Sequence, residues 1–366
     1  MTQETYKFGI VGAGMIAEFH AKAIAAMRNA ELVAVVARRE EQARSFAQTY
    51  GCRAYTDIAQ FLAHDGLDVI TICSPSGAHL DPTIAAAEAG KHVICEKPLE
   101  VTTERVDQMI AACGKAGVML AGIFPRRFNE ATRLFKNAVD DGRFGTIVFA
   151  DAAIKWWRDQ TYYDSGAWRG TWALDGGGAL MNQSIHTIDL LLHLMGDVRH
   201  VRAQTRLASH SGIEVEDVGV AMLEFENGAF GTIHGSTSCW SAEGHAAEIQ
   251  ICGSAGSVFM ADDKFRAWEF KDERPEDQTI LLDHGLNADV AGAGAADPKA
   301  IDFTWHQRNF EDALAALDKG GSPLVDGKEG RRAIALIRAI YESAERGGER
   351  VEVEYPREVP QALFWC

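Results

Sequence analysis

The sequence predicts an α/β protein, with a doubly wound parallel sheet at the N-terminus and a second domain built on a mostly antiparallel sheet. Three observations carry that expectation. Short apolar runs alternate with helical patterns through the first third of the chain, which implies parallel strands joined by right-handed helical crossovers. A Gly12-x-Gly14-x-x-Ala17 run lies between the first apolar run and the first helical one. From about Phe124 the rhythm changes to closely spaced alternating segments punctuated by turn residues. The boundary falls near residue 125 and divides the chain into 1–125 and 126–366, as expected for a length of 366 residues.

Each element has its own signal. Phe8-Gly9-Ile10-Val11 predicts the first strand, and Ile16, Phe19, Ala23 and Met27 recur behind it at helical spacing. Residues 32–36 predict a second buried strand. Two more follow at 69–73 and 92–95, with an alanine-rich helix at 83–89 that Gly90 stops. A helix over 104–116 ends at Gly117, ahead of a strand at 118–121. In the second domain a helix over 130–139 leads into a strand at 146–150, then an aromatic, glycine-rich stretch to Gly178. A helix around 184–194 precedes alternating segments at 201–207, 219–225, 230–236, 247–252 and 257–260. Glu226-Asn227-Gly228 is a hairpin signal between two of them. Residues 285–298, rich in Ala, Gly and Asp, read as a mobile loop. Helices at 303–318 and 328–346 and a strand at 351–355 complete the pattern.

A net charge of −16 argues against nucleic-acid or anionic-membrane partners, which are polyanions themselves, but leaves room for a local positive site. No apolar run approaches the ~20 residues that span a bilayer. The polar start, Met1-Thr2-Gln3-Glu4-Thr5, does not read as a secretory signal. Seven cysteines (Cys52, Cys73, Cys95, Cys113, Cys239, Cys252 and Cys366) form no Cys-x-x-Cys pair, and several sit inside apolar runs as small core residues. A reducing cytoplasm is therefore expected, and no metal site.

The residues that carry chemistry cluster at strand ends. In the glycine run, Gly12 permits a tight turn, Gly14 lets the backbone approach a diphosphate, and Ala17 lets helix and strand pack closely. Met15 and Ile16 then begin the helix whose N-terminus would carry the phosphates. A purely structural turn would use the same glycines. Where an NAD enzyme offers an acid to the ribose, this chain reads Ala37-Arg38-Arg39. Two guanidiniums could clamp a 2′-phosphate, which tilts the expected cofactor, NAD(P), toward NADP; they could equally be solvated charges. Ser74-Pro75-Ser76 and Glu96-Lys97-Pro98 follow parallel strands at their carboxyl ends, where open α/β sheets place ligands. Glu96 and Lys97, adjacent on an extended chain, should point to opposite sides.

In the second domain Asn182 and His186 are four apart, and His186 and Asp189 three apart, so each pair would share a helix face. A packed histidine fits that spacing as well. Trp156, Trp157, Tyr162, Tyr163, Trp168 and Trp172 are interleaved with Lys155, Arg158 and Arg169. Such a mixture is either core or a surface for a polyhydroxylated ligand, stacked on rings and held by polar groups.

Taken together, these motifs resemble the Gfo/Idh/MocA family of oxidoreductases. The resemblance runs through the glycine fingerprint, Pro75-x-x-x-His79, Glu96-Lys97-Pro98, and Trp168-Arg169 to Gly178. It continues through Asn182-x-x-x-His186-x-x-Asp189 to the segment from Asn309-Phe310 to Ala339-Ile340-Tyr341. It implies an N-terminal Rossmann domain and a C-terminal α/β domain with a large, mostly antiparallel sheet, through which dimers or tetramers form. It also implies that Lys97 lies beside the nicotinamide and the reacting hydroxyl, and that His186 is the general acid/base. Ser74, Pro75, Ser76, His79, Glu96, Trp168 and Arg169 would line the cofactor, while Arg126, Lys155, Tyr163 and Asn182 would join Lys97 and His186 around the substrate. Asn182 stands where inositol dehydrogenase-like members carry aspartate. An amide cannot take a proton, which shifts the base role to His186 and puts an Asp–His relay in doubt.

The function so implied is reversible, NAD(P)-dependent oxidation of a secondary ring hydroxyl of a sugar, sugar derivative or cyclitol, nucleotide-linked sugars included. Two alternatives share the fold: a glycosidase that works through transient oxidation, and a cofactor- or sugar-sensing regulator. Lys97 and His186 weigh against the sensor, which needs no acid/base pair.

Overall fold

Residues 5–287 and 303–355 are described by the computed structural model, and most of the loop expected at 285–298 lies outside them. The first sheet takes its strands in turn from β1 (Tyr6–Val11), β2 (Ala30–Val36), β3 (Arg53–Tyr55), β4 (Val69–Ile72), β5 (His92–Cys95) and β6 (Leu120–Gly122). Helices α1 (Met15–Ala26), α2 (Glu40–Tyr50), α3 (Ile58–Leu62), α4 (Leu80–Glu88) and α5 (Thr103–Ala116) connect them. The spatial order is β3-β2-β1-β4-β5-β6, and every pair is parallel. Val69, Ile70 and Ile72 of β4 are fully buried because helices cover both faces, which explains the unbroken apolar run. The order reverses between β1 and β4, so a crevice opens at their carboxyl ends. β3 was not predicted; a three-residue edge strand is too short to leave a period.

The second sheet follows α6 (Glu130–Asp140). Its strands are β7 (Ile147–Lys155), β8 (Val198–Arg206), β9 (Val218–Phe225), β10 (Phe230–Ser236), β11 (Glu248–Gly253), β12 (Gly256–Ala261), β13 (Lys264–Phe270) and β14 (Val351–Glu352). They lie in the order β13-β12-β11-β7-β10-β9-β8-β14, antiparallel except where β10 runs parallel to β7, with Ile233 opposite Ala152. Between β7 and β8 lie α7 (Gln160–Asp164), a π-helical turn (Ala179–Ser184) and α8 (Ile185–Met195). One face of the sheet packs on α8 and on α11 (Gly327–Glu345), so the strands alternate buried and exposed residues. α9 (Pro275–His284) buries no side chain, and without an apolar stripe it left no helical signal.

α10 (Thr304–Lys319) packs back on α1. Its Phe310, Ala313 and Leu314 share a core with Phe8 and Ile10 of β1 and Ala17 and Ile24 of α1. Asn309 of α10 accepts the Phe124 N–H at 2.9 Å and donates to the Gly122 carbonyl at 3.2 Å. The segment after β6 is thereby clamped between the two halves. Among the described residues no helix is long and apolar enough to cross a membrane.

Candidate active site

The crevice begins at the glycine turn. Gly12 has φ +102°, and a Cβ there would lie 2.8 Å from the Cys73 carbonyl, so the turn meets the end of β4 too closely for any side chain. Gly14 caps α1, and a Cβ on it would meet nothing within 4 Å. One glycine closes the turn and the other leaves the helix N-terminus open, with Met15 and Ile16 on the first turn. That combination fits a dinucleotide diphosphate. Ala17 is buried against the sheet. Arg38 and Arg39 are exposed at the tip of β2, Arg39 donating to Gln42 at 3.0 Å.

At the next strand end, Ser74 Oγ donates to the Ala78 carbonyl at 3.0 Å, and Ser76 is buried. His79, expected against the cofactor, is instead buried as a bracket. Its Nε2 lies 2.8 Å from the Ser74 carbonyl, and its Nδ1 lies 3.0 and 3.2 Å from those of Pro98 and Leu99. Both ring nitrogens are committed to main chain, so His79 ties the two strand-end turns together.

Glu96 and Lys97 do point to opposite sides. Glu96 is buried behind β5, where it accepts from His20 Nε2 at 2.8 Å and from its neighbour's N–H at 2.9 Å, with His306 Nε2 at 3.7 Å. Burial would raise this carboxyl, but the His20 hydrogen bond and the charges of His20, His306 and Lys97 outweigh it and hold the group at about 2. These potential ligand atoms of His20, Glu96 and His306 lie within 4.8 Å of one another, already joined by the His20–Glu96 hydrogen bond. Lys97, whose peptide bond to Pro98 is cis, reaches the second domain and donates to the main-chain oxygen of Asn182 at 2.9 Å. Burial lowers the Lys97 ammonium from its ordinary value, against the pull of Glu96 and Asp175.

Asn182 and His186 are delivered by the π-helical turn and the start of α8. A Cβ on Gly178 would fall 1.8 Å from the Glu216 carbonyl, so only glycine lets the chain enter the turn there. Glu216 then accepts N–H groups from Gly178 at 3.0 Å and Leu180 at 2.8 Å, and the Tyr341 hydroxyl at 3.1 Å. π-Helical turns are frequent at functional sites. Here the turn sets the Asn182 amide against Asp175 instead of Lys97. Asp175, which sequence reasoning left unassigned, is therefore inside the site. His186 packs edge-on to Phe124 at 5.8 Å between ring centres, and its Nδ1 is buried without a hydrogen-bond partner among the described residues. Burial lowers its pKa well below the ordinary imidazole value, and the Lys97 and Arg126 charges push the same way. The ring is thus held in its neutral form with one nitrogen unpaired among the described residues.

Several expected substrate contacts are engaged elsewhere. Arg126 is buried, held by Asp263 at 3.0 and 3.2 Å and by Thr187 at 3.0 Å. Tyr163 is buried with its hydroxyl on Thr237 at 2.8 Å. Its neighbour Tyr162 turns toward the site instead, taking Arg169 Nη1 at 2.6 Å and Gln183 Nε2 at 2.8 Å. Lys155 is exposed at the end of β7, where its charge falls on His234. Asp189 does not serve His186; both its oxygens bind Arg127, at 2.6 and 2.8 Å. Trp168 is stacked by the Arg169 guanidinium, which also lies 4.2 Å from the centre of the Tyr162 ring. Lys97, Arg158 and Arg169 make this edge positive in a chain of net charge −16.

Comparison with known proteins accords with this geometry. Residues 6–124 match an oxidoreductase family with an NAD-binding Rossmann fold, and residues 132–259 match the GFO/IDH/MocA C-terminal domain. Inositol 2-dehydrogenase of Rhizobium meliloti is 28% identical over 350 residues, spanning 93% of this chain and 97% of that protein. An oxidoreductase of Bacillus subtilis is 31% identical over 255 residues, 68% of this chain and 72% of its own. The WlbA dehydrogenase of Bordetella pertussis, solved in complex with NADH and UDP-GlcNAcA, superposes with a TM-score of 0.87 at 33% identity, covering 97% of this chain and 100% of that one. The crevice, its glycine cradle and these matches over nearly the full length together establish the chain as an oxidoreductase of the GFO/IDH/MocA family.

Proposed function

We propose that the protein is an NAD(P)-dependent dehydrogenase that reversibly oxidises a secondary ring hydroxyl of a sugar, sugar derivative or cyclitol. The observation that carries this reading is the convergence of Lys97, hydrogen-bonded at 2.9 Å to the main chain of Asn182, with His186, its Nδ1 buried, one helical turn further on, at the carboxyl ends of the same parallel sheet that bears the Gly12–Gly14 turn. A dinucleotide whose diphosphate rests on that turn would bring its nicotinamide to the site as the two-electron acceptor for the hydride. Lys97 donates a hydrogen bond to the substrate oxygen and stabilises the negative charge that develops there. His186 takes the hydroxyl proton and returns it in the reverse direction. Residues 1–125 serve as the cofactor-binding unit and 126–366 as the substrate-binding and oligomerising unit, with α10 crossing back to brace the first.

The positive edge formed by Lys97, Arg158 and Arg169 suits an anionic sugar, which makes a nucleotide-linked sugar acid such as the one named for the Bordetella pertussis relative the first compound to test. Exposed Arg38 and Arg39 tilt the cofactor toward NADP, while NADH in that relative weighs the other way. The exposed side of the second sheet supports a homodimer or homotetramer, and the free buried thiols Cys73, Cys95 and Cys113 suit a reducing cytoplasm. Reduced-nicotinamide absorbance with each cofactor tests the reaction. With a competent substrate, Lys97→Ala and His186→Ala should each lower turnover by on the order of 10²-fold or more and leave cofactor binding nearly unchanged. Near-normal turnover in Lys97→Ala would remove the lysine from the chemistry.

A further inference from the structure

We propose that Asp175 is the positioning carboxylate of the site: through Asn182 it holds the main-chain oxygen to which Lys97 is bound, and it supplies the counter-charge for Lys97 from the second domain. This rests on the dehydrogenase reading and deepens it. Asp175 is 1% exposed and, among the described residues, has no cation within ion-pair distance. A carboxylate buried without a directly paired cation is costly unless its oxygens are hydrogen-bonded and a charge lies near. Both oxygens are used. Oδ2 accepts the Gly170 N–H at 2.8 Å, and Oδ1 accepts the Asn182 amide.

That contact fixes which way the amide faces. Asn182 Oδ1 takes Gln183 Nε2 at 2.7 Å and the Tyr162 hydroxyl at 3.4 Å, so Nδ2 must meet Asp175. Asn182 is thus locked at its side chain, which donates to the Asp175 carboxylate, and at its main-chain oxygen, which accepts from the Lys97 ammonium at 2.9 Å. The charged groups around Lys97 are Glu96, Asp175, Arg169 and Arg158, with His186 beside it. Glu96 is committed behind β5 to His20 and His306. Asp175 is the acid that answers the positive groups from the second domain. Its own carboxyl is raised by burial, against Gly170, Asn182, Arg169 and Lys97, which favour the ionised form.

The test is charge removal followed by a charge swap. Asp175→Asn keeps the shape and the Gly170 hydrogen bond but removes the counter-charge, so the Lys97 ammonium is less favoured. The alkaline limb of kcat should move to lower pH, turnover should fall by ~10-fold or more, and NADH binding, followed by fluorescence, should hold. In the double variant D175N/N182D, an amide at 175 can serve Gly170 through its oxygen and donate to a carboxylate at 182, which still accepts from Gln183 and Tyr162. This swap should recover most of the turnover and return the alkaline limb. A readout without substrate runs alongside: the pH dependence of Lys97 acetylation by acetic anhydride, measured by peptide mass, should shift to lower pH in D175N and revert in the swap. If the acetylation profiles of D175N and the parent protein overlay, Asp175 is only a structural prop and the proposal fails. Absence of turnover in the parent protein with every sugar and both cofactors would instead sink the dehydrogenase reading, and the acetylation profile would still decide Asp175.

Discussion

Glu216 shows how one side chain sets a site it does not line. Its two oxygens accept three donors around the π-helical turn, and burial raises its carboxyl from 4.5 to about 7. A raised folded-state value means that this group's contribution to stability is complete below pH 4.5 and is lost as pH rises through about 7. Glu216→Gln would set an amide nitrogen against a main-chain N–H donor. That variant should lose about 1–3 kcal/mol in chemical denaturation and show a flatter stability profile between those pH values. Equal stability and an unchanged pH slope would show that the hydrogen bonds matter less than their geometry implies. His186 has the opposite sign. Its folded value is depressed, so its contribution is present above 6.5 and is lost as pH falls below it. The acid limb of kcat should accordingly lie below 6.5, and a limb at or above that value would contradict the buried, neutral imidazole.

At the scale of elements, the helices end where glycine permits. Gly51 and Gly117 cap α2 and α5 in left-handed conformation, and Gly320 does the same for α10. What orients α8 is a buried ion pair that no local pattern announces. Arg127, in the segment after β6, binds Asp189 of α8 and Glu329 of α11 at 2.9 Å. Arg127→Met leaves the Asp189 carboxylate buried and unpaired, which should cost about 3–5 kcal/mol. Arg127→Met combined with Asp189→Leu should recover a good part of that loss, as urea unfolding of the two variants would reveal. A double variant no more stable than the single would mean that the cost lies in packing.

At the scale of the whole molecule, one face of the second sheet is left uncovered by any other element among the described residues. Phe149 of β7 sits opposite Phe230 of β10, and Met222 of β9 sits opposite Thr232. Phe230 is 59% exposed and Met222 64%, with Val148 and Val220 nearby. Contiguous exposed apolar surface on a sheet marks an interface more often than a solvated face. The protein should therefore run as a dimer or tetramer in light-scattering chromatography, and Met222→Glu with Phe230→Glu should shift it toward monomer. A monomeric parent protein would remove the sheet as an interface.

The strand–helix alternation, the glycine cradle and the opposed directions of Glu96 and Lys97 were legible in the sequence. Each follows from rules that act within a few residues: strand period, glycine conformation, and the position of a turn at a strand's end. β3 and α9 were missed because a three-residue strand and a helix without a buried face have no period to read, and β13 because a register shift against β12 spaces its buried Phe265 and Trp268 three apart. The site was legible only in part. Lys97 and His186 stand on motifs, but Asp175 meets Asn182 through a π-helical turn that Glu216 holds from the loop before β9. Arg126, Tyr163 and His79 have the right chemistry for a ligand, yet buried partners occupy them. The sequence by itself determined which strand ends carry the chemistry, because backbone rules are local. Only the tertiary structure decided which side chains remain free to use it, because burial and pairing are set by residues far along the chain.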